Sequence, residues 1–114
     1  MTAPAKLPFS KVRRAGSTVY LAGEIGFAAD GSVPEGIEAQ TRNCLSRIRA
    51  TLEGEGLTMA HVVSCTCYLT DPKDFAAFNA VYAEFFADPL PVRTTVQSGL
   101  MIDAKLEITV IAQV

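Results

Sequence analysis

This sequence is short of charge, of basic clusters and of long apolar runs, and each shortage removes a class of function. Charged residues are 19% of the 114, against 49% hydrophobic, so the surface has little charge to spare and a disordered chain is excluded. Some apolar surface is therefore expected to be covered by another subunit. The formal net charge is -2, and Arg13 and Arg14, with Lys11 nearby, form the only adjacent basic pair. Phosphate backbones are bound by clustered Lys and Arg, so the composition argues against a nucleic-acid partner, and "SKVRRAGS" reads as a polar strand end. No stretch approaches the ~20 apolar residues of a membrane-crossing helix, and "MTAPAKLPFS" lacks the apolar run of a secretory signal. The expectation is a soluble, cytoplasmic protein with no membrane partner. Three cysteines, an odd number, suit reduced thiols better than a disulfide framework. There is no Gly-rich phosphate loop and no Ser or Cys with a convincing His partner, so nucleotide binding and covalent catalysis lack support.

What is present is a clear alternation of periods. The length suits one domain over residues 1–114, without internal linker or repeat. "STVYLAGEIG" alternates as a strand, paired with "KVRRAG" through the turn at Ala15, Gly16 and Ser17. From about Gly36 to Glu55, Ile37, Cys44, Leu45, Ile48 and Leu52 recur at helical spacing, and Gly54 and Gly56 end the run as a C-terminal cap. "HVVSCTCYLT" alternates again, with Val63, Cys65, Cys67 and Leu69 on one face and Val62, Ser64, Thr66 and Tyr68 on the other. In "DPKDF", Asp71 can cap and Pro72 suits the first position of a second helix. Its stripe is Phe75, Phe78, Tyr82, Phe85 and Phe86, an aromatic face that needs a partner layer. Two closing strands, "VRTTVQS" and "KLEITVIAQV", complete an α+β order of strand, strand, helix, strand, helix, strand, strand. Two helices over one face of a mixed sheet follow.

The closing strands each carry one charge where a strand interior disfavours it: Arg93 and Glu107. Leu106, Ile108, Val110, Ala112 and Val114 form a wholly apolar set opposed by Glu107, Thr109, Ile111 and Gln113. Taking Val92, Thr94 and Val96 as the covered set of the other strand, parity gathers Tyr20, Glu24, Ser64, Thr66, Tyr68, Arg93, Thr95, Gln97 and Glu107 on the second face. A subunit interface holding a wet pocket suits that mixture. Arg93 and Glu107 there are either an exposed cross-strand pair contributing ~0–1 kcal/mol or a functional pair. In the second case Arg offers a planar fork for a carboxylate and Glu an acceptor that orients or deprotonates water. His61, Cys65 and Cys67 have the spacing His-x3-Cys-x-Cys, but parity turns the thiols toward the helices, so they and Cys44 read as small core residues rather than metal ligands.

Three segments together resemble a known family: "LPFSKVRRAGSTVYLAGEIG", "EAQTRNCLSRIRATLEGEGLTMAHVVSCTCYLTDPKDFAAFNAVYAEFF" and "PVRTTV…KLEITVIA". Over nearly its whole length the chain is similar to the YjgF/RidA group of reactive-intermediate deaminases, also called liver perchloric-acid-soluble proteins. The resemblance implies a chorismate-mutase-like α+β fold assembled as a homotrimer with clefts between subunits. It also implies the hydrolysis of enamines and imines, such as 2-aminoacrylate in its 2-iminopropanoate form, to 2-keto acids and ammonia, with no metal and no organic cofactor. Carried over by position, Arg93 matches the family arginine that clamps the substrate carboxylate, and Glu107 the glutamate that activates water. Gly23 matches a glycine that admits the ligand to backbone, and Asn79 a cleft-side asparagine. Phe9 stands where many members have tyrosine, Ala22 where serine often precedes the glycine, and Thr95 where cysteine often follows the arginine by two. Those replacements alter pocket shape and polarity, which brings bulkier imino acids into view. Two other readings of the same cleft are a non-catalytic small-carboxylate-binding or chaperone-like trimer and an endoribonuclease or translation inhibitor.

Overall fold

In the computed structural model, which describes residues 6–114, the period-two segments form one sheet and the period-3.6 segments lie across it. The strands are β1 (Val12–Ala15), β2 (Thr18–Leu21), β3 (Val62–Leu69), β4 (Val92–Gln97) and β5 (Leu106–Gln113), and the helices are α1 (Ile37–Gly54) and α2 (Phe75–Ala83). The spatial order is β1-β2-β5-β3-β4. β3 and β4 run parallel, joined through α2, and every other pairing is antiparallel. This is the expected mixed sheet with two helices packed on it. The first segment of the chain, 1–5, falls outside the described residues, and with it the start of "MTAPAKLPFS". Among the described residues no helix is long and apolar enough to cross a membrane.

The last strand in sequence sits at the centre in space. Its alternate residues Leu106, Ile108, Val110 and Ala112 are fully buried, in one cluster with Cys44, Leu45, Ile48 and Leu52 of α1 and Phe78 of α2. Each such aliphatic side chain contributes about 1.5–3 kcal/mol on leaving water. Cys44, Cys65 and Cys67 are free, buried members of the same layer, as their parity required. Tight turns need few residues here: Gly16, at φ 60°, links β1 to β2.

Two register shifts change which side chains face the helices. Between β3 and β5, Val62 pairs with Ala112 but Ser64 with Ile111, so two steps on one strand answer one on the other. Val62 is consequently buried and Val63 exposed, the reverse of simple alternation. Between β2 and β5, Tyr20 pairs with Ile111 while Glu24 bridges Ile108, four steps against three. Glu24 is thereby turned to the helix side, not to the open face where unbroken alternation puts it.

α1 ends as its glycines foretold. The Leu57 N–H donates to the Leu52 carbonyl at 2.9 Å and the Gly56 N–H to Glu53 at 3.0 Å, with Gly56 at φ 77° and Leu52 and Leu57 both buried. That is the doubled bond pattern and apolar contact of a Schellman ending. A Cβ at Gly56 would meet no atom within 4 Å, so the cost of adding one is purely conformational. Gly56→Ala is expected to lower the unfolding free energy by about 1–2 kcal/mol without altering the fold, checked by urea denaturation with circular dichroism.

Candidate functional site

Glu107 projects from the open face of β5, opposite Tyr68 of β3, into a cavity of about 670 Å3 whose walls include Phe9, Gly23, Glu24, Arg47 and Met101. The residue that admits it is Gly23: a Cβ there would run into the Glu107 carboxylate. The shift after Tyr20 sends the chain past Glu107 at this point, so a bare backbone and a carboxylate meet at one wall. Gln40, buried on α1, supports that wall from behind. Its Oε1 accepts the Lys105 N–H at 2.8 Å and its Nε2 donates to the Pro34 carbonyl at 2.8 Å, anchoring the chain two residues before Glu107.

Arg93 lies elsewhere. The parallel register sets it beside Cys65, and Thr95 beside Cys67, so both point to the helix side of the sheet. The guanidinium carbon stands 4.7, 5.3 and 5.7 Å from the ring centroids of Tyr82, Phe78 and Phe75. Placing Arg93, Thr95 and Gln97 on Glu107's face is thus corrected: Glu107 and Arg93 occupy opposite faces. The open face of β4 instead carries Val92, Thr94 and Val96, all exposed, with Val92 at 71%. The physical reason is that β4 is an edge strand under an aromatic layer, where a guanidinium stacks favourably on ring faces while keeping its polar rim accessible.

Around Arg93 polar atoms lack partners. Among the described residues it has no carboxylate within 4.0 Å, and Asn79 Oδ1, Tyr82 Oη and Thr95 Oγ1 are buried without a hydrogen bond. Asn79 shares its helix face with Phe75 and Tyr82, four residues after one and three before the other. Buried polar atoms are rarely left unsatisfied, so this cluster has the composition of half a site. The candidates divide accordingly: Phe9, Gly23 and Glu107 line one concavity, and Arg93, Thr95 and Asn79 belong to the other side.

The chain matches, over residues 1–114, the family described as Endoribonuclease L-PSP. A RutC family protein of Pyrococcus horikoshii is 40% identical over 108 residues, covering 92% of this chain and 86% of that protein. The crystal structure of RidA from an Antarctic Psychrobacter superposes with a TM-score of 0.91 at 33% identity, covering 98% and 94% of the two chains. The chain belongs to the YjgF/RidA family. Escherichia coli TdcF with bound serine is a further structural match, with a TM-score of 0.87 at 34% identity over 96% of this chain and 90% of that one. Names across the RidA family differ in the activity they carry.

Sequence reasoning missed the placement of four residues in this RidA-family chain. Gln40 was hidden because it is polar, although its spacing from Ile37 and Cys44 puts it on the buried stripe of α1, and the pair Arg47 with Glu24 was hidden by the register shift. Tyr82 was read as core alone. Its hydroxyl, with the thiols of Cys65 and Cys67, sits in a layer dry enough to push all three pKa values up, with Cys67 rising to about 12 despite the opposing pull of Arg93. In the unfolded chain Cys67 loses its proton near 9.0, so between those values the unfolded state binds fewer protons than the folded one, and stability falls as pH rises. The melting temperature is expected to decline steadily from about pH 9 upward, with a shallower decline in Cys67→Ala, as read by scanning fluorimetry across alkaline buffers.

Proposed function

We propose that identical chains associate so that the Arg93 cluster of one and the Glu107 cavity of the next form a single cleft, which hydrolyses enamines and imines of 2-amino acids to 2-keto acids and ammonia. The observation that carries this reading is the division of the site: each half is incomplete, and the two lie on opposite faces of one sheet. Two different surfaces that complement each other across chains make a head-to-tail contact, which closes into a ring when the rotation allows. A trimer is the ring that the family resemblance implies. The chain offers exposed apolar side chains for it in Val92, Val96, Val63 and Tyr20.

The chemistry needs little beyond orientation. The Arg93 fork takes the substrate carboxylate through two charge-assisted hydrogen bonds, its plane held by the stack on Tyr82. The free oxygens of Asn79 and Thr95 accept from the N–H groups of the protonated imine. Water adds to the imine carbon as the Glu107 carboxylate takes its proton. That proton passes to nitrogen, the C–N bond breaks and ammonia leaves, and the Glu107 carboxylate takes the remaining hydroxyl proton as the carbonyl forms. Placement and base catalysis of this kind supply ~10²–10⁴-fold, and no step calls on a metal or an organic cofactor. The serine bound in TdcF, a small 2-amino acid, supports a ligand of this size and charge. It equally suits a non-catalytic carboxylate-binding role for the cleft. The net charge of -2 disfavours the endoribonuclease reading.

Arg93→Ala and Glu107→Gln are each expected to abolish turnover of 2-iminopropanoate generated in situ, with oligomer size unchanged. Mixed subunits are the sharper test. Unfolding and refolding the two variants together at equal concentration restores about a quarter of wild-type activity in a random ring, because one site in four then draws both intact residues from different chains. No recovery in correctly assembled mixtures would sink the shared cleft, and ligand binding without turnover in the wild type would favour the binding role.

A further inference from the structure

The cavity at Glu107 is larger than a three-carbon imino acid requires, and its wall carries a cation that the hydrolysis above does not use. Its volume of about 670 Å3 lies in the range of drug-sized ligands. Arg47 and Glu24 both border it, together with Phe27. The Arg47 Nε donates to Glu24 Oε1 at 2.8 Å, and the guanidinium carbon stands 5.6 Å from the centroid of the Phe27 ring. Those two contacts set the position of the fork while its two terminal nitrogens keep no protein partner among the described residues. The Glu24 side chain is 13% exposed and that of Arg47 37%, so the guanidinium is the more accessible member of the pair. Lys11 borders the same space.

We propose that Arg47 determines specificity by receiving an anionic end of the substrate's side chain, which makes the preferred substrate a 2-imino acid bearing a second carboxylate. This rests on the hydrolytic reading above. Arg93 of one chain holds the first carboxylate and Arg47 of the next holds the second, with the imine carbon between them beside Glu107. A guanidinium already oriented by Glu24 and Phe27 gives up little freedom on binding. An apolar side chain in its place would strip water from the fork without supplying an acceptor.

The test compares imines generated by amino-acid oxidases from alanine, leucine and aspartate. In the wild type kcat/KM for the aspartate-derived imine is expected to exceed that for the alanine-derived one by about tenfold or more. The ratio falls toward one in Arg47→Gln and is partly restored in Arg47→Lys. Glu24→Gln, which keeps an acceptor for Nε but removes its negative charge, raises the ratio and serves if Arg47→Gln does not fold. A ratio unmoved by these substitutions, or a wild-type preference for the leucine-derived imine, overturns the assignment. Calorimetric titration with 2-oxoglutarate and pyruvate separates it from the hydrolytic reading. If no imine is turned over, hydrolysis fails, yet tighter binding of the dicarboxylate, lost in Arg47→Gln, still supports the role of Arg47. Equal binding of the two acids, or binding of neither, overturns it.

Discussion

The burial of one face of β5 beneath both helices is the constraint on which the rest of the structure depends. Leu106, Ile108, Val110 and Ala112 give that strand a continuous apolar edge, and period-two geometry then forces Glu107 and Thr109 to the opposite face. A carboxylate reaches the middle of a sheet because the residues on either side of it anchor the core. Its position is as rigid as the core itself.

Arg93 is held by a different force. It occupies the edge strand β4 over the rings of Phe75, Phe78 and Tyr82, so the aromatic stripe of α2 serves both as core layer and as a cradle for a cation. Burial of the Phe78 and Tyr82 rings drives α2 onto the sheet, and the ring faces stabilise the guanidinium without neutralising it. The cost falls on the neighbouring polar groups: Asn79, Tyr82 and Thr95 keep buried oxygens without partners. A packed core would eliminate such atoms, whereas a cleft awaiting a ligand or another subunit retains them.

The register shift between Tyr20 and Glu24 links the two faces. One extra residue between Tyr20 and Glu24, set against the shorter run from Ile111 to Ile108, brings Gly23 against Glu107 and at the same time swings Glu24 toward α1, where it meets Arg47. A single irregularity in a strand therefore shapes both the wall that carries Glu107 and the charged wall of one cavity. Gln40, reaching from α1 to Lys105, ties the helix to the strand at that same end, so the cavity is supported by the core rather than by loops alone.

Much of this was legible in the sequence, because it follows from local physics. The helix over Ile37–Gly54 follows from apolar spacing, its ending from Gly56 and Leu57, and the apolar face of β5 from alternation that no bulge interrupts. The same alternation placed Glu107 on the open face correctly. It misplaced Arg93 because Val92, Thr94 and Val96 are as apolar as a covered set, and nothing within six residues of an edge strand says which side the helices cover. It misplaced Glu24 and Val63 because a bulge is set by how two strands pair, which neither strand records alone. Residue types, periods and caps were determined by the sequence itself. The facing of β4, the two register shifts and the separation of Arg93 from Glu107 were decided only by tertiary packing, since each depends on contacts between segments far apart in the chain.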